Sequence, residues 1–320
     1  MKWARGFRRG VTAVCAALAL SATGCSAPSP GGGTASNVGI SSPVPSALSS
    51  APQGTPRTGV DHVVIIVEEN HSASTVLGKD AAPFINKLAS KNALATNYHA
   101  VAHPSLPNYL ALTSGTTAGI TTDCNPGGDC MAQVPNITDA LEESGRSWKM
   151  YAESMPTHCA ARDSGDYAVR HNPFMYYPSV TDDEGSCAEH VVPLTRLAAD
   201  LETTGSLPDY VFISPNTCND MHDCPVATGD AWLSREVPKI LESPAFTKQN
   251  SLLVLTWDED DHDAGNRVAT VFAGPAARKD YTSTRNYSHY SLLHTVEKLW
   301  ELPPLTTNDK NAPTMDDMLK

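Results

Sequence analysis

The sequence predicts an α/β protein, a three-layer sandwich whose central, largely parallel β-sheet carries helices on both faces. Three observations predict it: continuous β-branched apolar runs recur along the chain, helical patterns lie between them, and polar clusters follow directly on the runs. A run without polar alternation marks a strand buried on both faces. Alternation with helices supplies the crossovers a parallel sheet requires.

The first run, His62–Val67, reads HVVIIV; others are expected at Tyr210–Ile213, Ser251–Thr256 and Val268–Ala273. Helices are expected over Ala82–Lys91, Pro107–Thr113, Ile137–Ser144, Ala231–Leu241 and Tyr290–Leu299. In open α/β sheets, sites gather beyond the carboxyl ends of the strands. Here Glu68-Glu69-Asn70-His71, Asn216–Asp223 and Asp258-Glu259-Asp260-Asp261-His262 each follow such a run. No internal repeat is evident, so these clusters are not copies of one unit.

The N-terminus has the build of an export signal, basic residues in MKWARGFRRG followed by a short apolar stretch. It ends in Ala22-Thr23-Gly24-Cys25, the pattern of a lipobox, which makes residues 1–25 the signal and Cys25 the expected lipid-bearing membrane anchor. Residues 26–59, rich in Ser, Pro and Gly, lack the apolar surface to offset the entropy of ordering and read as a tether. Residues 60–320 are expected to form one catalytic domain, monomeric and either held at the outer face of the membrane or secreted.

A net charge of −12 without a basic run beyond the signal argues against a nucleic-acid surface. An acidic chain that handles phosphate needs a local positive site, which a metal or histidines supply. Six of the eight cysteines lie beyond the export segment. In an exported domain they suggest three disulfides, for which fifteen pairings exist. Nearest neighbours, 124–130, 159–187 and 218–224, are the expected pairs; the spacings do not form the paired CxxC knuckles of a zinc site.

Chemistry is expected at four places. Glu69 and Asn70 leave a buried strand with oxygen donors suited to a divalent cation, or else cap a turn. Ser105, in His103-Pro104-Ser105-Leu106-Pro107-Asn108, stands at a helix N-terminus whose free N–H groups favour a phosphate oxyanion, unless it is a simple cap. Asp258 and Glu259 open a run of four acids that repel one another unless a cation neutralises them or water solvates them. His222, between Cys218 and Cys224, and His289, before the last long helix, are candidate imidazoles for phosphate binding or leaving-group protonation.

In order along the chain, VVIIVEENHS, APFINKLA, HPSLPNYLAL, PNTCNDMHDC, GDAWL, TWDEDD and SHYSLL resemble the bacterial phosphoesterase family of the alkaline-phosphatase-like superfamily. The likeness covers essentially everything after residue 60. It implies an alkaline-phosphatase-like sandwich; Ser105 as nucleophile; Glu69, Asn70, Asp258 and Glu259 as ligands of a divalent metal; and His222 and His289 on the phosphate. His103, Asn108 and Asp220 are implied as substrate-binding. A second full set of ligands is not found, so one metal ion is expected. The implied activity is a phosphomonoesterase, with phosphoinositides among the possible lipid substrates. Because the family also holds phospholipases C, a diesterase reading stays open. A surface lipoprotein that binds phosphate or a partner without turnover would not need a nucleophile.

Overall fold

The structure, a computed structural model, describes residues 59–262 and 264–320. The signal, Cys25 and the tether up to residue 58 lie outside the described residues. Nine strands form one sheet: β1 (Val63–Glu68), β2 (Ala93–His99), β3 (Trp148–Ala152), β4 (Val191–Pro193), β5 (Tyr210–Ser214), β6 (Leu252–Trp257), β7 (Arg267–Ala273), β8 (Tyr281–Ser283) and β9 (Tyr287–Ser288). Their order is β4-β3-β5-β1-β6-β7-β2-β8, with β9 also on β2. All pairings are parallel except those of β7 with β6 and β2, so β7 alone is reversed.

The expected runs become β1, β5, β6 and β7, which are consecutive in the sheet, with β1 flanked by β5 and β6. Every residue of β1, β5 and β6 is buried, which is why they carry no alternation. The other five strands were not expected. β2 (ALATNYH) is only half-buried and β4, β8 and β9 have three residues or fewer, so neither offers a long apolar run.

The expected helices form at Pro83–Lys91, Ser105–Ser114, Ile137–Glu143, Val226–Leu241 and His289–Leu299. The Ser105–Ser114 and His289–Leu299 helices pack together, as do Pro83–Lys91 and Val226–Leu241. Asp230 fastens the latter pair, accepting from Phe84 N at 3.1 Å and Ile85 N at 2.8 Å, which gives the GDAWL motif a structural role. Alternation along β1 separates the pairs: Glu69 meets Ser105 and Tyr109, whereas Glu68 lies near Glu153 and Asp230.

The Ser105 helix ends at Gly115, whose φ of 70° suits glycine; its N–H bonds to Ala111 O at 3.2 Å. A Cβ there would meet Asp309 Oδ1 at 2.5 Å. Disulfides join Cys124–Cys130, Cys159–Cys187 and Cys218–Cys224, the nearest-neighbour pairs. None of the described helices is long and apolar enough to cross a membrane.

Candidate active site

Because β5, β1 and β6 are adjacent and parallel, their exits deliver three loops to one edge. Backbone bonds tie these exits together: Glu69 N donates to Asp220 O and Asp258 N to Glu68 O, both at 2.9 Å. The Asp220 loop is held by the Cys218–Cys224 disulfide and pressed against the Val226–Leu241 helix. A Cβ at Gly229 would lie 2.7 Å from Asn219 O and 2.5 Å from the Met221 side chain, so only glycine allows that approach.

Ser105 is the first residue of its helix, and the hydroxyl does not cap it. Instead Ser105 Oγ donates to Glu69 Oε2 at 3.0 Å, while Tyr109 OH, one turn along, donates to Glu69 Oε1 at 2.5 Å. Both contacts are fully buried. His171 Nε2 approaches Glu69 Oε1 at 3.3 Å and Nδ1 bonds to Asp220 Oδ2 at 3.0 Å, with its ring stacked on Tyr109. Glu69, Ser105, Tyr109, His171 and Asp220 therefore form a buried floor.

Above the floor lie partly exposed groups. His222 Nδ1 contacts Asp223 Oδ1 at 2.7 Å, and Nε2 accepts from Arg170 Nη2 at 3.3 Å. Arg170 Nε also lies 3.9 Å from Asp123 Oδ2. Asp123 Oδ1 accepts from Leu106 N at 2.9 Å, so this one N–H of the helix N-terminus already has an acceptor.

The acidic run divides. Asp260 folds back on the backbone N–H groups of His262, Ala264 and Asn266, so it holds its own loop. Glu259 Oε2 accepts from Asn108 Nδ2 at 3.0 Å and lies 3.2 Å from His103 Nδ1. Asp258 Oδ1 accepts from Asn70 N at 3.0 Å, and Oδ2 is buried without a partner.

Two residues expected at the substrate have their polar atoms engaged within the protein. His289 is fully buried: Nε2 donates to Asp258 O at 2.6 Å and Nδ1 accepts from Tyr98 OH at 3.0 Å. Both ring nitrogens are engaged, and the ring steadies the Asp258 backbone. Asn108 is equally committed, its Oδ1 accepting from Val101 N and Ala102 N and its Nδ2 reaching Ala102 O and Glu259. His103 stays near the opening, bracketed by Glu259 and Asp260 and stacked on His262 at 4.0 Å.

Burial, then neighbouring acids, raises the pKa of Glu69 well above the ordinary carboxylate value. Burial likewise pushes Asp220 up to about 8, Asp258 to about 7 and Glu259 to about 9, and it holds His171 well below the usual imidazole value. So many buried acids call for protons or a cation. The residues fit a cation: Glu69, His171 and His222 each offer a donor atom, all within 4.8 Å of one another. His171 Nε2 and Asp258 Oδ2 are buried without a hydrogen-bond partner. This nitrogen-rich set shares only Glu69 with the all-oxygen set expected from sequence, and it suits zinc or iron better than magnesium, calcium or manganese.

Sequence reasoning missed His171, Tyr109, Arg170 and Asp123. Tyr109 had a signal, since four residues on from Ser105 it shares that helical face. Arg170 and His171 sit on a short 3-10 turn, Val169–His171, away from any strand end, and offered none.

The sheet order and its loaded strand ends define an alkaline-phosphatase-like fold. It is shared with an alkaline phosphatase superfamily protein from Vibrio parahaemolyticus, at 13% identity over 80% of this chain and 70% of that one, TM-score 0.57. The lipoteichoic acid synthase LtaP from Listeria monocytogenes shares it too, at 10% identity over 79% of this chain and 76% of that one, TM-score 0.54. Within that fold class the chain belongs to the phosphoesterase family, which it matches over residues 77–303, and it is a phosphoric ester hydrolase. It is 40% identical over 263 residues to the phosphatidylinositol-3-phosphatase of Mycobacterium tuberculosis, covering 80% of this chain and 82% of that protein. It is 34% identical to the phosphate-repressible acid phosphatase of Penicillium chrysogenum, over 71% of this chain but only 57% of the fungal protein.

Proposed function

We propose that this chain is an exported phosphomonoesterase that works through Ser105 and one divalent cation, and that lipid-borne monoesters, phosphoinositides among them, are within its substrate class. The observation that carries the reading is the buried Ser105 Oγ–Glu69 bond at 3.0 Å: the hydroxyl is turned away from capping and onto a carboxylate. The names of the mycobacterial and fungal relatives support the substrate class.

In this reading Ser105 Oγ attacks phosphorus as its proton passes along their hydrogen bond to Glu69 Oε2. Tyr109 OH and His171 keep that carboxylate in place. The P–O bond to the leaving alcohol breaks as the Oγ–P bond forms, and the alkoxide takes a proton from solvent at the open side. Water then attacks the phosphoserine and gives a proton to solvent as the Oγ–P bond breaks; Ser105 Oγ takes its proton back from Glu69 Oε2, and inorganic phosphate departs. Glu69, His171 and His222 would hold the cation, which supplies positive charge against the phosphoryl oxygens.

The test is Ser105→Ala on a panel of a simple monoester, a phosphoinositide and phosphatidylcholine, each with and without chelator. Turnover should fall by roughly 10³-fold or more, as for loss of a nucleophile, while the variant stays folded and still binds inorganic phosphate. A mere cap would instead cost about 0.5–2 kcal/mol of stability and leave the rate alone. Near-native turnover in the variant, or full wild-type activity after exhaustive chelation, would overturn the reading.

A further inference from the structure

The contacts around Ser105 close into a ring. Ser105 Oγ meets Glu69, which lies with His171 and His222 within 4.8 Å; His222 Nε2 accepts from Arg170; Arg170 faces Asp123; and Asp123 returns to Leu106 N, the residue after Ser105. One side of the ring is buried, with Ser105 and His171 2% exposed and Glu69 0%. The other side is open, with side-chain exposures of 22% for Arg170, 30% for Asp123 and 29% for His222. A phosphoryl group that reaches Ser105 therefore enters past the open side.

We infer that Arg170 is a specificity-determining residue that selects phosphomonoesters over phosphodiesters by taking the third non-bridging phosphoryl oxygen. The inference rests on the phosphatase reading of the same site. A monoester presents three oxygens without a second ester, and the one not facing the floor turns to the open side of the ring. In a diester that oxygen carries a second substituent, which a guanidinium can neither pair with as an anion nor accommodate at hydrogen-bond distance.

Two features suit Arg170 to this task. Its planar fork offers several N–H donors and stays charged at every relevant pH, so it can bind two oxygens of one phosphoryl group. Its present contacts are also easily exchanged. The 3.9 Å approach to Asp123 is long, and the 3.3 Å bond to His222 lies on the exposed side, so a phosphoryl oxygen can replace either. Asp123, bonded to Leu106 N, keeps the guanidinium over the helix that carries Ser105.

The experiment compares kcat/KM for p-nitrophenyl phosphate and bis-p-nitrophenyl phosphate in wild type, Arg170→Gln and Arg170→Lys. Inorganic phosphate affinity is measured by calorimetry on the same proteins. Arg170→Gln should lose roughly 10²-fold on the monoester, the scale of losing one transition-state donor, and the diester-to-monoester ratio should rise at least about tenfold. Phosphate should bind correspondingly more weakly, and Arg170→Lys should recover part of both. An unchanged ratio, with equal losses on both substrates or none, would overturn the inference, as would unweakened phosphate binding. Wild type that hydrolyses neither ester would sink the phosphatase reading itself. If Arg170→Gln does not fold, the ratio and phosphate affinity of Arg170→Lys decide.

Discussion

The two sides of the Ser105 ring are built on different physical terms. Ser105, Glu69 and His171 form its floor, and Asp258 lies beside them; all four are at most 2% exposed, and the first three are locked by Tyr109 and Asp220. Asp123, Arg170 and His222 keep between 22% and 30% of their side chains in water and meet through exchangeable contacts. Burial raises the carboxyl pKa values of Glu69 and Asp258, which a proton or a cation relieves, so this side suits bond-making. Groups at the opening can trade partners without large desolvation cost, so they suit discrimination. Loss of a floor group should change the rate on every substrate, whereas loss of Arg170 should change which substrate is preferred.

The largest effect that sharpens this comparison is expected from His171→Ala. It leaves Ser105 untouched yet should lower cation content and turnover together on monoester and diester alike. Outer-shell partners of metal ligands already cost about 10- to 100-fold, and a direct ligand should cost at least as much. Elemental analysis of the dialysed variant beside its kcat checks this. Full metal occupancy and rate would place the cation on Glu69, Asn70, Asp258 and Glu259, the oxygen set the sequence suggested.

A smaller effect is expected far from the ring. Glu297 is buried on the His289–Leu299 helix, and burial, then Asp309, pushes its pKa up to about 8. Its folded pKa exceeds its unfolded value near 4.5, so the fold retains the proton. That contribution is fully present below about pH 4.5 and is lost as pH rises through about 8. Urea unfolding of Glu297→Gln should show stability falling less steeply between pH 5 and 8, by at most about 1.4 kcal/mol per pH unit, with turnover little changed. A slope equal to that of wild type would mean Glu297 does not titrate in that window.

The same contrast explains what the sequence disclosed. β1, β5 and β6 are buried on both faces, so they read as unbroken apolar runs, and the residues that follow them, Glu69, Asp220 and Asp258, were legible as a shared edge. Ser105 was legible as the start of a helix, but only the fold shows its hydroxyl on Glu69 instead of a backbone N–H. His171 and Arg170 were not legible. Their place is fixed by long-range contacts, such as Ser214 Oγ donating to His171 O at 2.6 Å, which leave no local pattern. For His289, adjacency to a helix start gave no sign that both ring nitrogens would be hydrogen-bonded.

The central claim, that Ser105 supplies the attacking oxygen, is tested most directly by trapping. Native protein mixed briefly with a ³²P-labelled monoester, quenched in acid and digested should yield label on the peptide that carries Ser105, as phosphoserine, and Ser105→Ala should yield none. Label on a histidine peptide, or rapid turnover with no acid-stable phosphopeptide at any quench time, would contradict the account.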